Sequence, residues 1–304
     1  MINVLGNRKI YFAISLVLMI ASVVTLLVQG FNLDTDFAGG MAVTYEIKSE
    51  FEVKDVEAVV SQALGVNKKA SSVQKSENGE VIIKFGYDNN LKTDEERASY
   101  ANANIEAIEK HLAEKYGEVV LKNKDIVSPS TGKELARSAV WMSILAALVI
   151  LIYVTFRFEF TSGVCAVFAL VHDILILCGV YSITRIAINT NFIAALLTVL
   201  GYSINATIVV FDRIRENTRH AKKQTYAEIA NTSINQTMGR SINTTITTLL
   251  TIGMVYIMGV TSIKAFALPI IIGIVIGTYS SIFIAGSVWA TWKDSAVKAK
   301  TDKK

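Results

Sequence analysis

The sequence predicts a polytopic α-helical membrane protein with six transmembrane helices and one external α+β domain of ferredoxin-like order, βαββαβ. Three observations carry that prediction. The 304 residues are 52% hydrophobic with only two prolines, and the mean hydropathy is positive, which is too apolar for an ordinary water-soluble domain. Six apolar segments each approach the ~20 residues that cross ~30 Å of hydrocarbon as a helix. Only one polar stretch, residues 31–135, is long enough to fold as a separate unit.

The apolar segments are Ile10–Gln29, Ala136–Phe156, Thr161–Ile183, Asn191–Phe211, Ile242–Val260 and Phe266–Trp292. Arg8 and Lys9 precede the first, as in a signal peptide. No small-residue cleavage site follows, and the apolar core is longer than a typical signal core, so it is read as a retained anchor. The chain then divides into residues 1–30 (N-terminal end and first helix), 31–135 (external domain), 136–292 (five-helix bundle) and 293–304 (tail).

Loop charges set the orientation. Arg8, Lys9, Arg157, Arg213, Arg215, Arg219, Lys222, Lys223, Arg240, Lys293, Lys298 and Lys300 all fall on one side when both termini are cytoplasmic. The opposite short loops carry only Arg185 and Lys264. This is the positive-inside asymmetry, and it places residues 31–135 on the outer face. It also accounts for the net charge of +4 without nucleic acid.

Within the external stretch, "MAVTYEI" alternates like a strand and "EVKDVEAVVSQAL" has helical spacing. A weaker strand is expected near Ala70–Lys75, and "EVIIKFGY" is a strong one. A long amphipathic helix follows, with Thr93 as its N-cap, and "EVVLKNKDIVS" closes the domain. There is no Cys-x-x-Cys, Gly-x-Gly-x-x-Gly or phosphate loop, so no cofactor or metal is expected and the domain reads as a docking surface. Cys165 and Cys178 lie in one apolar segment and read as reduced packing residues.

Ionisable groups inside a span are functional suspects. His172 and Asp173 sit in the middle of "LVHDILIL". His111 and His220 lie elsewhere, so no metal-dependent hydrolase site can be assembled. Structural pairing or a proton relay remain. Arg240 opens the fifth span, and Thr244, Thr248 and Thr251 repeat along one face behind it. That face suits either helix packing or a watered path. In the fourth span Asn205 and Thr207 flank Ala206. Gly273 and Gly277 form a small-xxx-small packing face in the sixth.

Three motifs then resemble the SecF family, the smaller subunit of the SecD–SecF protein-export complex within the resistance-nodulation-division superfamily. They are "DFAGG" (Asp36, Phe37, Gly39 and Gly40 are its typical residues), "VHD" (Val171–Asp173) and "GYSINATIVVFDRIREN" (Gly201–Asn217). The likeness covers essentially the whole chain. It implies pairing with SecD, association with the SecYEG channel, and use of an ion gradient to promote late translocation and release of unfolded exported polypeptide in the bacterial cytoplasmic membrane. No enzyme motif accompanies it. Asp36, Gly39 and Gly40 are read as a tight exit from the membrane. Asp212, Arg213, Arg215, Glu216 and Asn217 are read as an ion-pair cap that pins the cytoplasmic loop.

One departure stands out. The family commonly places an aspartate where this chain has Ala206, as part of a proton path shared with an acid in SecD and an arginine that Arg240 resembles. The partner's acid, with Asn205, Thr207 and Arg240 ordering water, is one reading. Sodium as the coupling ion is a second, and a passive assembly factor without ion coupling is a third. A self-contained small-molecule exporter is the alternative of another class.

Overall fold

A computed structural model describes residues 2–65, 72–76, 79–88, 91, 93–221 and 224–301. Lys222 and Lys223, and the first two residues of the expected Ala70–Lys75 strand, lie outside the described residues. Among them, six helices are long and apolar enough to cross a membrane. The chain is a multi-pass membrane protein with a separate sheet domain.

The spanning helices are α1 (Arg8–Gln29), α5 (Pro129–Arg157), α6 (Phe160–Thr184), α7 (Thr190–His220), α8 (Tyr226–Met258) and a sixth span. The sixth is built from α9 (Thr261–Tyr279), a π-helical turn (Ser280–Ala285) and α10 (Gly286–Thr301). Several helices outrun the apolar segments that announced them. α8 starts at Tyr226 rather than near Ile242, because a capping box fixes its first turn. Glu228 N donates to Thr225 Oγ1 at 3.2 Å while Thr225 N donates to Glu228 Oε2 at 2.8 Å. Hydropathy marks only the part of a helix that lies in oil.

α6 and the sixth span are the most enclosed, with α7 next, and buried Leu170, Leu177, Tyr181, Phe192, Leu200 and Phe211 of α6 and α7 lie in the bundle core. Close approach fixes the neighbours. A Cβ on Gly179 of α6 would stand 2.0 Å from Ser22 Oγ of α1. One on Gly273 would stand 2.4 Å from Val199 Cγ2, and one on Gly277 3.0 Å from Ser203 Cβ, so α9 lies tight against α7.

The sheet domain runs β1 (Gly40–Ile47), α3 (Val53–Leu64), β2 (Ser72–Lys75), β3 (Glu80–Gly86), α4 (Asp94–Tyr116) and β4 (Val119–Val127). Its four strands form one antiparallel sheet in the order β2-β3-β1-β4. Strand alternation sends Met41, Val43, Tyr45, Val81, Ile83 and Phe85 to one face, where they meet Val56 and Val60 of α3 and Ile105, Ile108 and Leu112 of α4. The N-cap read at Thr93 is present as a full capping box with Glu96. Between α1 and β1, the short helix α2 (Thr35–Ala38) makes the passage out of the membrane.

Candidate functional site

The bundle centre holds a polar cluster around Asp173, which is fully buried. Its Oδ1 lies 2.9 Å from His172 Nδ1. Its Oδ2 accepts hydrogen bonds from Ser203 Oγ of α7 at 2.6 Å and Ser280 Oγ of the π turn at 2.8 Å. One carboxylate thus draws donors from three helices, which is what a buried acid requires. The π turn widens the helix at that height, and such turns recur at functional sites.

From His172 the network continues into α1. His172 Nε2 lies 3.1 Å from Ser15 Oγ, Ser15 Oγ 3.3 Å from Tyr279 OH, and Tyr279 OH donates to the Tyr11 carbonyl at 3.0 Å. With Nδ1–H donating to Asp173, these three contacts need three hydrogens, and the two hydroxyls own two. A neutral His172 leaves one contact unfilled, and the Ser15–Tyr279 contact is the longest.

The residues nominated from the fourth and fifth spans do not join this cluster as one face. Thr207 is buried and shares a 2.9 Å hydrogen bond with Ser281 Oγ. Asn205, two residues earlier, is exposed, since two helical steps turn a side chain by about 200°. Arg240 of α8 is also exposed, and makes no hydrogen bond or ion pair among the described residues. Thr244 is exposed, and Thr248 Oγ1 donates to the Thr244 carbonyl at 2.9 Å. The threonine that bridges helices is Thr245, 3.3 Å from Tyr202 OH and 2.8 Å from Thr278 Oγ1. A Cβ on Gly201 would meet no atom within 4 Å. Gly201 and Asn205 therefore lie exposed on α7, and Arg240 and Thr244 on α8.

At the end of the bundle that meets the sheet domain, the Asp-Phe-Ala-Gly-Gly stretch forms a junction. Lys84 Nζ of β3 bridges Asp34 Oδ2 and Asp36 Oδ1, both at 2.9 Å. Asp36 Oδ2 accepts from Thr190 N at 3.1 Å and Thr190 Oγ1 at 2.9 Å, at the start of α7. Burial pushes the Asp36 carboxyl up, but the Lys84 hydrogen bond, the Thr190 amide and the lysine charge together hold it below the usual carboxylate range. Burial pulls Lys84 down, and the Asp34 charge and the two carboxylate bonds outweigh it, so its pKa is raised. Gly39, at φ +80°, lies where a Cβ would strike Pro129 Cα at 2.8 Å, and one on Gly132 would strike the carbonyl oxygen of buried Phe37 at 2.5 Å. A Cβ on Gly40 would meet Phe85 O of β3 at 2.6 Å.

At the other end, Arg213 donates to Glu216 Oε2 at 2.6 Å and Gln236 Oε1 at 2.7 Å. Asn217 Nδ2 donates to Ser233 Oγ at 2.8 Å, Arg215 to the Arg157 carbonyl at 2.8 Å, and Asp212 lies 3.6 Å from Arg157. The run ties α7 to α5 and α8. Ser15, Ser203, Tyr279, Ser280, Asp34, Lys84 and Thr190 were not nominated from sequence. Among the described residues no group of three or more His, Cys, Asp or Glu could hold a metal.

A family model described as "Protein export membrane protein SecD/SecF, C-terminal" matches residues 107–295. The protein translocase subunit SecF of Sebaldella termitidis is 36% identical over 93% of the chain and 89% of its own length. That of Petrotoga mobilis is 34% identical over 94% of each. The SecDF subunit of Bacillus subtilis is 34% identical over 96% of the chain, but the chain spans only 38% of that longer relative. A crystal structure of SecDF from Thermus thermophilus, a translocon-associated membrane protein, superposes with a TM-score of 0.77 at 35% identity, over 96% of the chain and 39% of that structure.

Proposed function

The chain belongs to the SecF family of protein translocase subunits, and from that premise we propose that it works as the smaller half of a SecD-paired machine that spends an ion gradient on protein export. Its role in Sec export follows from the family. The pairing is supported by the fused SecDF relatives, whose length the chain fills by little more than a third. SecYEG and unfolded exported polypeptide are its further partners in this reading.

The observation that carries it is Arg240, exposed on α8 without an anionic partner among the described residues, with Asn205 exposed on α7. A lone cation at the edge of the hydrocarbon calls for an acid from another chain. In this reading the α7–α8 face docks against SecD, whose carboxylate meets Arg240, while Asn205, Thr244 and Thr248 order water. His172 and Asp173 form a second proton-holding group inside this chain, where Ala206 supplies none. Gly273 and Gly277 keep α9 close to α7, and Asp36, Phe37, Gly39 and Gly40 join the external domain to the bundle. The strand order β2-β3-β1-β4 supports a ferredoxin-like domain, and the basic loop charges support placing it on the outer face with both termini inside; in this reading the chain divides at residues 30, 135 and 292.

The test is export by vesicles carrying SecYEG and the reconstituted SecD–SecF pair under imposed proton or sodium gradients. Arg240→Ala should abolish the gradient-dependent fraction, and Ala206→Asp should raise proton dependence. An Arg240→Ala pair that responds normally to both gradients refutes the coupling. Ala206 itself favours one second reading, a passive assembly factor, for which neither gradient would matter even in the unaltered pair.

A further inference from the structure

At the basic end of the bundle, a cavity of about 300 Å³ opens between the α5–α6 turn, the end of α7 and α10. Its lining combines Arg215, Arg219 and Lys293 with the aromatic rings of Phe158, Tyr226 and Trp289. The carboxylates around it are already engaged. Glu159 accepts from Lys293 Nζ and Trp289 Nε1, each at 2.8 Å. Asp294 accepts from Tyr226 N at 3.2 Å, and Asp212 pairs with Arg157. Arg215 spends one nitrogen on the Arg157 carbonyl, and Arg219 has no hydrogen bond or ion pair among the described residues. Two guanidinium groups therefore face the cavity without a carboxylate to balance them.

The position of the cavity decides what would balance them. Phe156 and Phe160, 87% and 63% exposed, bracket the α5–α6 turn and mark where the helices leave the oil. Tyr226 and Trp289 stack edge-to-face at 5.6 Å in its wall, an amphipathic pair of the kind that sits among headgroups. A mobile anion from the aqueous phase and the headgroup of a lipid both offer phosphate oxygens to a planar guanidinium fork. Only the lipid also places its glycerol and first methylenes against the aromatic wall.

We infer that this cavity is a binding site for the phosphate headgroup of an anionic phospholipid, with Arg215 and Arg219 holding the phosphate and Tyr226 and Trp289 its glycerol end. The inference goes beyond export and ion coupling. It needs only the charge at this end of the bundle, which in the orientation read above is the cytoplasmic leaflet.

The experiment takes the full chain copurified with its SecD partner in detergent and counts retained lipid by native mass spectrometry. Phosphatidylglycerol, phosphatidylcholine with the same acyl chains, and inorganic phosphate are added in parallel. Phosphatidylglycerol should be retained in preference to phosphatidylcholine. Arg219→Gln, which breaks no hydrogen bond or ion pair among the described residues, should weaken that retention about fivefold, as loss of one basic residue near an anionic surface does. Arg215→Gln should do at least as much, and Lys9→Gln, a basic residue on the same side but outside the cavity, should do nothing. Equal retention of the two lipids overturns the site. So does a Lys9→Gln effect as large as that of Arg219→Gln, which would mean diffuse surface charge. Competition by millimolar inorganic phosphate alone would assign the site to a free anion and overturn the lipid.

Discussion

Replacing Lys84 with methionine keeps the length and most of the apolar stem of the side chain and removes only its charge. Asp34 is then left 1% exposed and Asp36 19% exposed, without the cation that bridged them. Breaking a buried pair by taking one partner costs ~3–5 kcal/mol. The lower end applies here, because Asp34 keeps the Thr35 amide and Asp36 keeps both Thr190 donors. A loss of ~3 kcal/mol corresponds to about two orders of magnitude in a local opening equilibrium. The assay is amide hydrogen exchange across Asp34–Gly40 and the facing β3, compared between Lys84→Met and the unaltered protein. Exchange should accelerate there about 100-fold while the α4 core amides near Ile108 keep their rates. Acceleration of less than about threefold would mean the bridge is a solvated surface pair and the junction is held by packing alone.

The same junction carries a pH signature. Asp36 is depressed in the folded state, so its contribution is present above the unfolded carboxylate value near 3.9 and is lost as pH falls through the lower folded one. Lys84 is raised, so its contribution is full below about 10.4 and lost as pH rises past the folded value. Exchange at Asp34–Gly40 should thus be slowest, after correction for intrinsic rate, between those limits. Asp173→Ala should destabilise the bundle by ~3–5 kcal/mol, since it strands three donors, and Asp173→Asn by clearly less; equal melting shifts for the two would mean the carboxylate is not what holds them. Gly273→Ala drives a methyl into the β-branched Val199 and should cost ~1–3 kcal/mol by overpacking, read as a lowered melting temperature; an unchanged one would place α9 farther from α7.

What could be read from the sequence follows what each signal measures. The six helices and the sheet domain were legible because hydropathy over twenty residues and alternation over six are properties of the local chain. His172 and Asp173 announced themselves because an ionisable side chain in oil has few bland explanations. Their partners did not. Ser15, Ser203 and Ser280 each look like an ordinary small packing residue, and only helix packing brings Ser203 and Ser280 to the Asp173 carboxylate and Ser15 to His172. Lys84 occupies an unremarkable polar position in an alternating strand, and its role depends on where β3 meets the membrane exit. Asn205 and Thr207 looked like a pair along the sequence, but helical rotation sends one inward and the other out.

The π turn of the sixth span holds one further consequence, about phase. It fits one more residue into the helix than an α-helix would need, and each residue advances the following ones by about 100° around the axis. Everything after it, including Trp289 and Lys293 on Glu159, is rotated relative to Gly273 and Gly277 by that single insertion. Losing one residue between Ser280 and Ala285 would leave hydropathy and length nearly untouched. It would nevertheless force a choice, because the serines could stay on Asp173 or the lysine on Glu159, but both could not be kept. The sixth span therefore acts as a vernier between mid-membrane chemistry and the basic surface, and its residue count is as constrained as its residue identities.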